Sequence, residues 1–183
     1  PGRPLFNGFP MPIPDASALP GKKPLENTTW ADIAIIAAAG MAPFYWSVGD
    51  TKTITFGSAV LGSASIVVKI LGFNYDDLAA GGKASVTFGM VDCFANIQSM
   101  NPSGTTAGGW GSCALRSTLI SSVLPALQNA LGGTIKPVVK RTSAGSASPT
   151  IVTTEDSVWL LSEYEIFGAN THSVAGEKPA DKS

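Results

Sequence analysis

Apolar residues recur along this chain with two different periods, and each change of period marks an element. In "NTTWADIAIIAAAGMAP" Trp30, Ile33, Ile36 and Ala37 share one face of a 3.6-residue repeat. Thr29 or Thr28 is placed to accept from the first free amides, Asp32 follows Thr29 by three residues, and Gly40 supplies a left-handed stop. The stretch is a short helix that packs into a core. "FYWSVGDTKTITF" reads as two β segments about the Gly49-Asp50 turn, with Ile54 and Phe56 on one face. "ASIVVKILGF" is almost continuously apolar, the pattern of a strand covered on both sides, and "SVTFGMVDC" alternates with Val86, Phe88 and Met90 pointing one way. Helical spacing returns at Leu115, Leu119, Ile120, Val123, Leu124, Leu127 and Leu131. Because proline is excluded from a helix interior, Pro125 predicts two short helices, the second starting near Ser122 and stopping at Gly132-Gly133. "IKPVVKRTSAG" and "SVWLLSEYEIFG" are two more strand candidates, separated by an exposed loop at "SAGSASPT". Helices and strands alternate without the regular spacing of βαβ units. The fold class is α+β, with a mostly antiparallel sheet and a few short helices.

The pattern fails at both ends. Residues 1–26 hold seven of the thirteen prolines and no periodic apolar face, which predicts an extended arm rather than a helix or an inner strand. Leu5, Phe6, Phe9, Met11 and Ile13 are its apolar teeth, too many for a solvated linker, and they predict an arm that lies along its own domain or a neighbouring subunit. Residues 27–170 form a single domain, and the polar residues 171–183 are a fraying tail.

Charge narrows the partners. Twelve basic against thirteen acidic residues leave a formal charge of −1, so no field draws the chain to nucleic acid. Charged residues are only 14% of the sequence, against about 25% in ordinary soluble domains. A surface so poor in charge repels its own copies weakly and points to lasting contact with other subunits, including a homo-oligomer. The apolar runs at 31–42 and 54–68 are shorter than the roughly 20 residues a bilayer requires, and no membrane insertion is expected. No basic start precedes an apolar run, so no signal peptide is read, and Pro1 suits a chain whose initiator methionine has been removed. Cys93 and Cys113 fit either a disulfide or two lone thiols.

Catalytic and ligand-binding candidates are few. His172 is the single histidine and lies in the tail, so neither a histidine triad nor a multi-histidine metal site fits one chain. The glycines at 104, 108, 109 and 111 match no phosphate-binding fingerprint, and no cofactor is expected. Asn74, Asp76 and Asp77 are the best oxygen donors for Ca²⁺, but their spacing is not that of an EF-hand loop, and a helical-turn cap is the simpler role. Glu155 with Asp156, and Glu163 with Glu165, are acidic pairs of the kind that solvent or a carboxylate dyad would use. In "AGGWGSCALR" Gly108-Gly109 free the backbone, Trp110 plugs the core or stacks on a sugar, and Ser112 caps the helix carrying Arg116. Trp110 and Arg116 are therefore the binding candidates.

Together "NTTWADIAIIAAAGMAPFYWSVGDTKTI", "ILGFNYDDLAAGGKASVTFGM", "AGGWGSCALR", "IKPVVKRTSAGS" and "VWLLSEYEIFG" resemble, in order, the blocks of a domain of unknown function found in phage tail and virion proteins and in surface proteins of Gram-positive gut bacteria. The resemblance spans residues 27–168 and implies a relative of the C-type-lectin-like fold, of which this chain holds the scaffold half, with no established catalytic residue. Tyr75 stands where the family run has histidine, and the Trp-Trp-Leu-Arg block that usually follows is not among these residues. The implied function is a non-enzymatic virion structural protein, a decoration, head-fibre or tail component, that assembles with other virion subunits through its arm. The alternative is an adhesin or receptor-binding module on a virion or bacterial cell surface that takes a glycan or a protein receptor.

Overall fold

The structure is a computed structural model that describes residues 5–6, 9–10, 19–58, 62–171 and 173–177. It is α+β, with antiparallel sheets and short helices. The central sheet has the order β3–β4–β5, from Thr51–Ser58, Ser63–Gly72 and Thr87–Met90. A second ladder pairs β6 (Val138–Ser143) with β7 (Ile151–Asp156), in a register that sets Val138 against Asp156 and Lys140 against Thr154. The two are stitched together after β4: Leu78 bridges to Val138, and the Val139 amide donates to the Asp77 carbonyl at 2.8 Å. Leu5–Phe6 (β1) and Phe9–Pro10 (β2) form a two-residue antiparallel ladder. Met11, Ile13 and His172 lie outside the described residues.

One face of the central sheet carries the core. Ile54 and Phe56 of β3 and Val68 of β4 meet Leu115, Leu119, Val123, Leu127 and Leu131, each large apolar side chain contributing about 1.5–3 kcal/mol before its ordering cost. Further along the same face, Ile70 packs with Ile33 and Ile36 of α1 (Trp30–Ala38) and with Leu25, Ala42 and Trp46; Trp30 touches both clusters. The α1 start is the expected one, with Thr29 Oγ1 accepting from the Asp32 amide at 3.1 Å, and Gly40 turns the chain at φ 69°.

Four expectations change. Residues 42–45 form a helical turn, α2 (Ala42–Tyr45), instead of a strand, because Pro43 in the first turn has no donor to lose there. β4 is not covered evenly on both faces: Val68 and Ile70 are buried, while on the other side Val67 is exposed and Leu71 half-buried. Pro125 does not divide the helix. The run passes from α4 (Ala114–Thr118) through a π-turn at Leu119–Val123 into α5 (Leu124–Ala130), the Leu124 amide reaching the Leu119 carbonyl five residues back. That widened turn accommodates a proline ring that an α-turn would reject. Finally, "SVWLLSEYEIFG" is not a strand; its second half is α6 (Glu163–Phe167), started by a capping box between Ser162 and Glu165, and the partner of β6 is Ile151–Asp156.

Both termini of the domain are fastened to the body. Within the segment expected to be an arm, Leu25 is buried, the Trp46 indole donates to the Lys23 carbonyl at 3.1 Å, and Lys52 Nζ donates to the Glu26 carbonyl at 2.9 Å. In the segment expected to fray, Glu177 accepts from the Ser143 amide at 2.7 Å.

Candidate functional site

The register of β6 and β7 determines the site. Val138, Lys140 and Thr142 share a face with their partners Asp156, Thr154 and Val152, so a carboxylate and an ammonium point from this ladder toward the interior. Opposite them stand α3 (Gly109–Ser112), the Asp76 loop, Trp159 and α6.

Asp156 is fully buried. Its Oδ2 accepts from Trp110 Nε1 at 2.9 Å and from Thr154 Oγ1 at 2.5 Å, while Oδ1 pairs with Arg116 Nε at 2.8 Å. A hydrogen-bonded carboxylate of this kind repays its desolvation only if every partner stays in place. Trp110 is 5% exposed and belongs to the core, where it anchors the loop at the edge of the cleft that Lys140 also lines. Close backbone approach explains its glycines: a Cβ on Gly109, at φ 55°, would lie 1.9 Å from the Ser143 carbonyl oxygen. The cap of α4 differs from expectation, because Cys113 Sγ accepts from the Arg116 amide at 3.3 Å while Ser112 Oγ donates back to the Gly108 carbonyl. Cys113 is buried, Cys93 is exposed, and both are free thiols.

Lys140 lies one residue pair along the same face. Its Nζ contacts Asp76 Oδ1 at 3.2 Å and Glu165 Oε1, and sits 4.6 Å from the centre of the Trp159 ring. The three charged side chains are 11%, 5% and 9% exposed for Lys140, Asp76 and Glu165. Thr87 Oγ1 donates to Asp76 Oδ2 at 2.7 Å, and the Ser162 amide donates to Glu165 Oε2 at 2.8 Å. The group carries one positive and two negative charges and contains a primary amine. Above it opens a cleft of about 840 Å³, walled by Tyr75 and Asp77, β6 and residues 159–162; Thr142 Oγ1 and Trp159 Nε1 are buried in its lining without a hydrogen-bond partner among the described residues.

The expected Ca²⁺ donors do not converge. Asp76 turns inward to Lys140 while Asp77 pairs with Lys83 at 2.8 Å, and among the described residues no three acidic, histidine or cysteine side chains are placed to share a metal ion. The acidic pairs also separate: Glu155 is exposed beside buried Asp156, and Glu163 accepts from the Thr171 and Ser173 amides while Glu165 meets Lys140. Sequence reasoning missed Lys140, Thr87 and Trp159. For Lys140 the signal was the alternation in "PVVKRTS", which puts residues 138, 140 and 142 on one side. Searches against protein-family models, curated proteins and solved structures found nothing that matches this chain.

Proposed function

We propose that the chain is a non-enzymatic structural component of a phage virion, a decoration, head-fibre or tail protein, that joins other subunits and copies of itself through its proline-rich N-terminal arm. On this reading the α+β body is a relative of the C-type-lectin-like scaffold. One observation carries the proposal. Phe44 is 67% exposed at the place where residues 20–22 join the body through Tyr45 Oη to the Pro20 carbonyl and Lys22 Nζ to the Phe44 carbonyl, and Ile35 and Val48, on the segments before and after it, are exposed as well. Exposed apolar side chains at the root of an arm rich in apolar residues suit a docking surface, and a chain with 14% charged residues does little to keep neighbours off it. Of the acids the sequence offered for catalysis, Glu163 is engaged by the Thr171 and Ser173 amides, and Asp76 and Glu165 face Lys140 of the same chain.

The test is deletion of residues 1–18, which leaves Leu25 and its contacts intact. The truncated protein is expected to keep its unfolding temperature and to lose at least tenfold in self-association measured by light scattering, the loss of about 1.4 kcal/mol or more. Unchanged association overturns the proposal. The second reading, a module that binds a surface glycan or a protein receptor, is favoured by the open cleft, whose Thr142 hydroxyl and Trp159 indole have no partner among the described residues; a glycan array separates it from the first.

A further inference from the structure

A primary amine held against two carboxylates, with little access for water, has the parts for amide formation. We propose that Lys140 and Asp76 condense spontaneously into an intramolecular isopeptide bond between Nζ and Cγ, with Glu165 as the proton carrier. The reacting groups already touch: Nζ is 3.2 Å from Asp76 Oδ1, and the low exposure of all three side chains at the floor of the cleft limits the water that would solvate them and reverse the bond. The Trp159 ring covers Nζ on another side.

The step balances without an added reagent. Glu165, in contact with Nζ, takes one ammonium proton and frees the nitrogen lone pair, which attacks Asp76 Cγ. A C–N bond forms, and Thr87 Oγ1, 2.7 Å from Oδ2, holds the oxygen on which charge gathers. Glu165 returns its proton to Oδ1 and relays a second from the nitrogen to the same oxygen. The Cγ–Oδ1 bond breaks, water leaves, and Glu165 ends as the carboxylate it was. One ammonium and one carboxylate become a neutral amide, so the interior loses an ion pair.

Asp76, rather than Glu165, is the acceptor for two reasons. The Asp76 segment is tied by main-chain bonds to β6 next to Lys140, through Asp77 to Val139 and Leu78 to Val138. Thr87 also polarises Asp76 alone, whereas the second oxygen of Glu165 is occupied by its own helix cap. The bond closes a sequence separation of 64 residues and joins the central sheet's connection to the second ladder.

The full chain is denatured and its intact mass measured. The expected mass is one water below that of the sequence, and trypsin is expected to release residues 70–83 joined to residues 117–141 as one branched species. Lys140→Arg, which keeps the charge without the nucleophile, and Asp76→Ala restore the sequence mass. Asp76→Asn loses ammonia in place of water. Glu165→Gln slows bond formation about a hundredfold in protein that still unfolds cooperatively. A parent chain at its full sequence mass overturns the proposal whatever the variants do, and a branch to residues 142–182 overturns the choice of Asp76.

Discussion

Two buried carboxylates, Asp156 within the β6–β7 ladder and Asp76 in the loop packed opposite the same face of it, meet cations of different kinds and end in different chemical states. Asp156 has a guanidinium, an indole N–H and a hydroxyl, all fixed, and its Arg116 partner is 22% exposed, so the charge pair reaches water at one end. Guanidinium is a poor nucleophile, and this site is a clamp between α3, α4 and β7. Asp76 shares one ammonium with Glu165, and that cation is half as exposed as Arg116, 11% against 22%. A lysine nitrogen becomes a nucleophile once it gives up a proton, and the extra carboxylate is present to take it. The lesson is that burial and pairing alone do not define a reactive site; the identity of the base and the number of carboxylates do.

Removing the clamp has the largest expected effect. Asp156→Ala leaves the Trp110 indole and Thr154 hydroxyl without an acceptor and Arg116 without its counter-charge, and the loss is about 3–5 kcal/mol by denaturant unfolding. A loss under 1 kcal/mol contradicts the clamp. Lys140→Met sharpens the contrast, because it strands two carboxylates that one proton can relieve; about 2–4 kcal/mol is expected relative to an uncross-linked Lys140→Arg protein, read by the same unfolding curve. Trp110→Phe has the smallest effect, about 1–2 kcal/mol, since the ring's burial survives and only the bond to Asp156 goes. If it costs as much as Asp156→Ala, the indole bond and not the charge pair holds the clamp together.

Much of the body was legible in the chain. The α1 cap at Thr29, the stop at Gly40, the strands β3, β4 and β6 and the leucine stripe over residues 115–131 are local or periodic signals, set by backbone sterics and by burial of one face. The capping box at Ser162 was equally local, yet the aromatic and aliphatic residues around it outweighed it in a reading by strand propensity. Pro125 misled for the opposite reason: its penalty is real in an α-turn, and the π-turn that removes it depends on where Leu119 and Val123 pack.

The sequence by itself determined which residues are apolar, where helices start and stop, and that Lys140 falls on the buried side of an alternating strand. Only the tertiary structure decided what that lysine meets. Asp76 is 64 residues away and Glu165 is 25, and their approach depends on a two-stranded register, a loop stitched to its edge and a helix cap. Charge pairing in the interior is a property of distances across the fold, and no local period along a chain encodes it.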